Sequence, residues 1–133
     1  MLVVANDIAE LRRMSAWLVG EARALGVPAP VVDDLEVCAN EAVTNVINYG
    51  FEGGRRHEIA LRIAVDARQV SLQIEDDGRP FNPLDLPERP DPPSLREAPV
   101  GGFGVRLIRR LMPASRYERR GGRNVLTLST AIG

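Results

Sequence analysis

Glu41, Asn45 and Asn48 recur at i, i+4 and i+7 of one helical pattern, so a helix there carries all three on one side, away from Leu35, Cys38, Ala39, Ala42, Val43, Val46 and Ile47. The carboxamide oxygen of Asn45 is a hard ligand suited to Mg2+, an ion that takes its other oxygens from water and substrate phosphates. Glu41, one turn earlier, is placed to take a proton from an attacking hydroxyl. A solvated polar helix face has the same spacing, and both readings stand on this group alone. Asp76 ends a segment in which Val70, Leu72 and Ile74 alternate with Ser71, Gln73 and Glu75, so its parity is the apolar one. A carboxylate on that side needs a partner, because burying an unpaired charge is costly. With Gly78 after it, Asp76 suits an exocyclic amine such as that of adenine; an Asx turn at a strand end fits equally. Gly101, Gly102 and Gly104 precede Val105, Leu107, Ile108, Leu111 and Met112. Glycines at a helix start let an anion approach its free amides, and a tight turn into a helix explains them as well.

The rest of the chain supplies elements to hold these groups. Leu2–Val4 predicts a short strand, and Asp7 with Glu10 a capping-box variant. Leu11, Met14, Leu18, Ala22 and Leu25 then form one helical stripe, ended by Gly26 and Pro28, with Trp17 packing beside it. A second helix should start near Pro30, with Asp33 and Asp34 in its first turn and Gly50 as C-cap. Ile59–Val65 and Val70–Asp76 read as paired strands joined around Asp66–Gln69, with His57 a solvated strand end. Seven of the ten prolines fall in residues 80–99 without apolar periodicity, which suits a loop that covers a site. Gly121-Gly122 joins Arg116–Arg120 to Arg123–Thr130 as a hairpin. Arg106, Arg109, Arg110, Arg119, Arg120 and Arg123 read as solvated charge, with a basic surface for an acidic partner as the other reading.

At 133 residues the chain has the size of one domain, and 44% apolar with 26% charged residues is a globular balance. Seventeen basic against eighteen acidic side chains, a net charge of −1, argue against nucleic acid as the main partner. The lone Cys38 suits a reducing compartment and an inert core thiol. No signal-like start and no apolar run of roughly 18 residues is present, so the expectation is a cytoplasmic protein without membrane contact.

Taken together, Asn40-Glu41-Ala42-Val43-Thr44-Asn45, Asp76-Asp77-Gly78-Arg79-Pro80-Phe81-Asn82-Pro83 and Gly101-Gly102-Phe103-Gly104 resemble the three ATP-binding boxes of the GHKL superfamily. Within it the chain is most similar to the anti-sigma-factor serine/threonine kinases, over nearly its whole length. The resemblance implies an α+β fold, a two-layer α/β sandwich of the GHKL (Bergerat) type, with a mixed, mostly antiparallel sheet and helices on one face. Residues 1–133 would be a single domain with a proline-rich ATP lid at about 82–100. It implies Glu41 as general base, Asn45 as magnesium ligand, Asp76 as reader of the adenine amine and Gly78 as the glycine that admits the base. Gly101, Gly102, Phe103 and Gly104 fall at the phosphate end, and Asn48 lines the pocket. Pro80 stands where many members carry a second glycine, and with Phe81 it marks the anti-sigma branch of the nucleotide box. ATP and Mg2+ are the implied cofactors. A STAS-type anti-sigma antagonist and a sigma factor are the implied partners, and the family suggests a homodimer. The alternative is a nucleotide-binding switch that binds partner proteins without catalysis.

Overall fold

The computed structural model describes residues 1–51, 53–85 and 102–132. Strands β1 (Leu2–Ala5), β2 (Glu58–Val65), β3 (Gln69–Asp76), β4 (Arg116–Arg120) and β5 (Arg123–Ala131) form one sheet in the order β1-β2-β3-β5-β4, antiparallel in every pair. Helices α1 (Leu11–Ala24), α2 (Ala29–Tyr49) and α3 (Gly102–Leu111) make the second layer. The alternation read in the sequence decides which sheet face they cover. Ile59, Leu61, Val70, Leu72, Ile74, Leu126 and Leu128 join Met14, Leu18, Leu35, Cys38, Ala42, Val43 and Ile108 in one buried core. Full burial of each large aliphatic side chain contributes roughly 1.5–3 kcal/mol, so this face fixes the register. Trp17 packs, half-buried, against the core. Burial pushes the Cys38 thiol up to about 12, as an inert core cysteine requires.

Local signals are met with two adjustments. Asp7 caps a short 3-10 turn, Ile8–Glu10, by accepting from Ala9 N at 2.9 Å. Glu10 does not return to Asp7 as a capping box would. It accepts from Ala5 N at 3.1 Å and pairs with Arg13 at 2.5 Å, while Arg13 donates to Val3 O at 3.0 Å. Ala5 N and Val3 O face the open edge of β1, where an edge-paired dimer would add a strand; the ion pair satisfies both groups there instead. α2 begins at Ala29, so Asp33 and Asp34 fall in its second turn rather than its first. Gly50 is the C-cap, its N–H reaching Val46 O at 2.8 Å. Gly121 (φ 55°) and Gly122 (φ 76°) make the hairpin turn in the left-handed conformation that glycine permits. Of the expected lid, Pro83–Asp85 is a 3-10 turn and residues 86–100 lie outside the described residues.

Candidate functional site

Asp76 is the last residue of β3 and lies on the helix-facing side, 2% exposed. Its required partner is Asn124, directly opposite on β5. Asn124 Nδ2 donates to Asp76 Oδ1 at 3.0 Å, and Gly78 N donates to the same oxygen at 2.8 Å. Oδ2 makes no hydrogen bond among the described residues, which leaves one oxygen of a buried carboxylate available to a ligand. Burial pushes the Asp76 carboxyl above its usual range; the bonds from Asn124 and Gly78 pull it down, Asp77 pushes it up, and Arg119 pulls it down. Gly78 is where a side chain would collide: a Cβ there would run into the carbonyl oxygen of Gly50 and lie 2.9 Å from Asp76 Oδ1. Arg79 N donates to that same Gly50 carbonyl at 3.0 Å, so the C-terminal end of α2 is fastened to the loop after β3.

At the other end of the site, α2 meets the start of α3. Glu41 is half-buried and makes no hydrogen bond or ion pair among the described residues. A Cβ on Gly104 would lie 2.5 Å from Glu41 Oε2 and 3.1 Å from Glu41 Cβ, so the absence of a side chain lets this carboxylate lie against the first turn of α3. The first amides of a helix lack intrahelical partners and carry the positive end of its dipole. One turn along α2, Asn45 is 0% exposed, and both its Oδ1 and Nδ2 are buried without a hydrogen-bond partner. Its sequence pattern allowed a solvated polar face; the structure instead encloses it. An unsatisfied buried carboxamide costs about 1–3 kcal/mol, and such groups in folded proteins call for a ligand or a function. Among the described residues no cluster of three or more His, Cys, Asp or Glu could hold a metal by itself. A metal at Asn45 would therefore draw on phosphate and water, which suits Mg2+. From Glu41 to Gly50 the helix rises about 13 Å, so Glu41, Asn45 and the Gly50–Gly78–Asp76 contact succeed one another over a span comparable to an extended nucleoside triphosphate.

Other residues fall around this axis. Asn48 shares the α2 face but is exposed and makes no hydrogen bond among the described residues. Phe81 N donates to Asn124 Oδ1 at 3.2 Å, and its ring lies 6.0 Å from that of Tyr49. Pro80 is exposed. Gly102 is the first residue of α3; Gly101 and the Phe103 side chain lie outside the described residues. His57 is not a free strand end: it contacts Asp77 at 3.0 Å and stacks on Phe51 with ring centres 4.7 Å apart. The arginines divide by parity. Arg116, Arg120 and Arg123 face the outer sheet surface, where the first two border a cavity of roughly 420 Å3 together with Arg62, Gln73 and Thr127. Arg119 faces the other way, toward Asn124. None of Glu41, Asn45 and Asp76 borders the outer cavity. Asn124 escaped the sequence reading, although its parity matches Leu126 and Leu128 and so marks an inward polar residue.

Residues 4–130 match the family described as histidine kinase-like ATPase domain. The serine/threonine-protein kinase BtrW of Bordetella bronchiseptica is 40% identical over 96 residues, covering 72% of this chain and 68% of that protein. The serine-protein kinase RsbW of Oceanobacillus iheyensis is 31% identical over 100 residues, covering 71% of this chain and 63% of that protein. The crystal structure of the RsbU and RsbW domains of a Mycobacterium tuberculosis protein superposes with a TM-score of 0.61 at 16% identity, over 97% of this chain and 32% of that one. The chain thus spans about two-thirds of these curated relatives' length and a third of that crystallised chain. Among the described residues no helix is long and apolar enough to cross a membrane.

Proposed function

This chain belongs to the histidine kinase-like ATPase family, and from that premise we propose that it transfers the γ-phosphoryl group of ATP to a hydroxyl of a STAS-type anti-sigma antagonist. By the same reading it holds a sigma factor until the unphosphorylated antagonist releases it. Both curated relatives described above bear the names of serine or serine/threonine kinases. The observation that carries the reading is the fully buried Asn45, without a hydrogen-bond partner, one helical turn from Glu41, which is unpaired among the described residues.

The surroundings of each residue support the role this reading gives it. Asp76 Oδ2 accepts the adenine amino group, while Oδ1 is held by Asn124 and Gly78. Gly78, without a side chain, lets the base approach the backbone. Asn45 would hold Mg2+, which when bound supplies charge neutralisation for the phosphates. Glu41 accepts the proton of the attacking hydroxyl, and the free amides at the start of α3 stabilise the charge on the transferred group. Phosphoryl transfer depends mainly on positioning and charge neutralisation, which is the work this reading assigns to these groups.

The test is incubation with γ-labelled ATP and a STAS-type antagonist domain, in which label is expected on a serine or threonine of the antagonist. Mg-ATP binding with no label transferred would assign the chain to the non-catalytic switch. A second result probes the metal site. Asn45→Leu replaces an unsatisfied carboxamide by an apolar group of similar shape, so the nucleotide-free protein should gain about 1–3 kcal/mol and melt several degrees higher. The same variant should lose the stabilisation that Mg-ATP confers on the wild type, read by thermal unfolding with and without ligand. A lower melting temperature without nucleotide would show that the carboxamide serves packing instead.

A further inference from the structure

Arg119 lies on the edge strand β4, outside all three sequence boxes, yet it stands in a cross-strand row with Asn124 and Asp76 on the helix-facing side of the sheet. Its Nη1 donates to Gly78 O at 2.8 Å and to Asn124 Oδ1 at 3.1 Å. Tyr117 OH donates to the same Asn124 oxygen at 2.5 Å, and Phe81 N at 3.2 Å. A carboxamide can be flipped by half a turn with little change of shape, so what decides its orientation is the hydrogen bonds on each side. With three donors on its oxygen, the Asn124 amide group must point the other way, toward Asp76 Oδ1 and Arg79 O, which it meets at 3.0 Å and 2.8 Å. Flipped, Asn124 would set its NH2 against three donors and its oxygen against a carboxylate.

We propose that Arg119 is a positioning residue for adenine recognition, which acts by holding the Asn124 carboxamide and the Gly78 carbonyl so that Asp76 keeps one oxygen bound and presents the other to the base. This rests on the reading of Asp76 as the partner of the adenine amine. Among the described residues the Arg119 guanidinium bonds Gly78 O and Asn124 Oδ1, at the Asp76 end of the site, and does not bond Glu41, so its effect is expected on the base. Its guanidinium also favours the ionised, accepting form of Asp76 against burial and the neighbouring Asp77.

The experiment compares the affinities of Mg-ATP and of magnesium with inorganic triphosphate for the wild type, Arg119→Met, Arg119→Lys, Tyr117→Phe and Asp76→Asn, across pH. Arg119→Met should weaken ATP about tenfold, the loss of a charge-assisted hydrogen bond, and leave triphosphate unchanged. The acid limb of ATP binding should move to higher pH, because Asp76 would protonate sooner without the cation. Arg119→Lys, which keeps the positive charge on a side chain of similar length, should recover much of the loss, and Tyr117→Phe should show a smaller loss in the same sense. Equal losses for ATP and triphosphate, or an acid limb that does not move, would overturn the proposal. If Asp76→Asn itself fails to separate ATP from triphosphate, the reading of Asp76 falls instead, so the two failures are told apart.

Discussion

Glu41→Ala should bind Mg-ATP about as well as the wild type and transfer phosphate about 10²–10⁴-fold more slowly, the usual contribution of a positioned general base. Glu41 makes no hydrogen bond or ion pair among the described residues, so its removal costs the fold little. Its carboxylate lies against the first turn of α3, on the side of Gly104 that a side chain would fill. That location is favourable for phosphate oxygens as well, so removing a nearby negative charge should, if anything, ease nucleotide entry. Glu41→Gln keeps the shape and the hydrogen-bonding ends but not the basicity, and should match the alanine variant in rate. Single-turnover transfer from labelled ATP, beside a nucleotide titration of each variant, measures both quantities. Wild-type transfer by either variant would remove Glu41 from the chemistry.

Asp76→Asn should weaken ATP about 10²-fold, since a donor amide would replace the charged acceptor proposed for the adenine amine. Inorganic triphosphate, which has no base, should bind as before. The same variant should be more stable without nucleotide, and the sign follows from burial. In the folded protein the Asp76 carboxyl titrates above its ordinary range because it is buried. Its contribution to stability is therefore full below the ordinary carboxyl range, where folded and unfolded chains are both protonated. That contribution is lost as pH rises through the raised folded value and a charge must be kept in the interior. The neutral carboxamide of the Asp76→Asn variant carries no such charge, so its advantage in melting temperature should be present at neutral pH and shrink in acid. A variant that loses stability at neutral pH would mean that the bonds to Asn124 and Gly78 outweigh the cost of burial. ATP binding by the wild type should decline in acid over the same window, because the protonated carboxyl is no longer a pure acceptor.

The parts of this arrangement differ in how far they could be read from one dimension. Helix α2, the β2–β3 pair, the final hairpin and the inward parity of Asp76 all follow from short-range patterns: apolar spacing, alternation, and glycines in a turn. The need for a partner at Asp76 was equally plain from the cost of a buried charge. Which residue answers it was not, because Asn124 lies 48 positions away and meets Asp76 only through the β3–β5 register. The capping box at Asp7 shows the reverse case: Glu10 had a legible local role, but the unpaired backbone of β1 competed for it and won. Asn48 shows the limit of helix periodicity. It shares a face with Asn45, yet one is exposed and the other enclosed, since burial depends on what packs over each turn.

By itself, the order of residues determined the elements, the face each strand turns inward and the three groups of residues that resemble a nucleotide site. Those properties repeat every two to four residues, and local sterics and hydrophobic burial enforce them wherever the chain goes. Only the folded arrangement decided that Gly50 abuts Gly78, that Glu41 rests on the first turn of α3 and that Arg119 donates to the Gly78 carbonyl. Such contacts join segments tens of residues apart, and their partners are selected by sheet register and helix docking, which no short window of sequence contains.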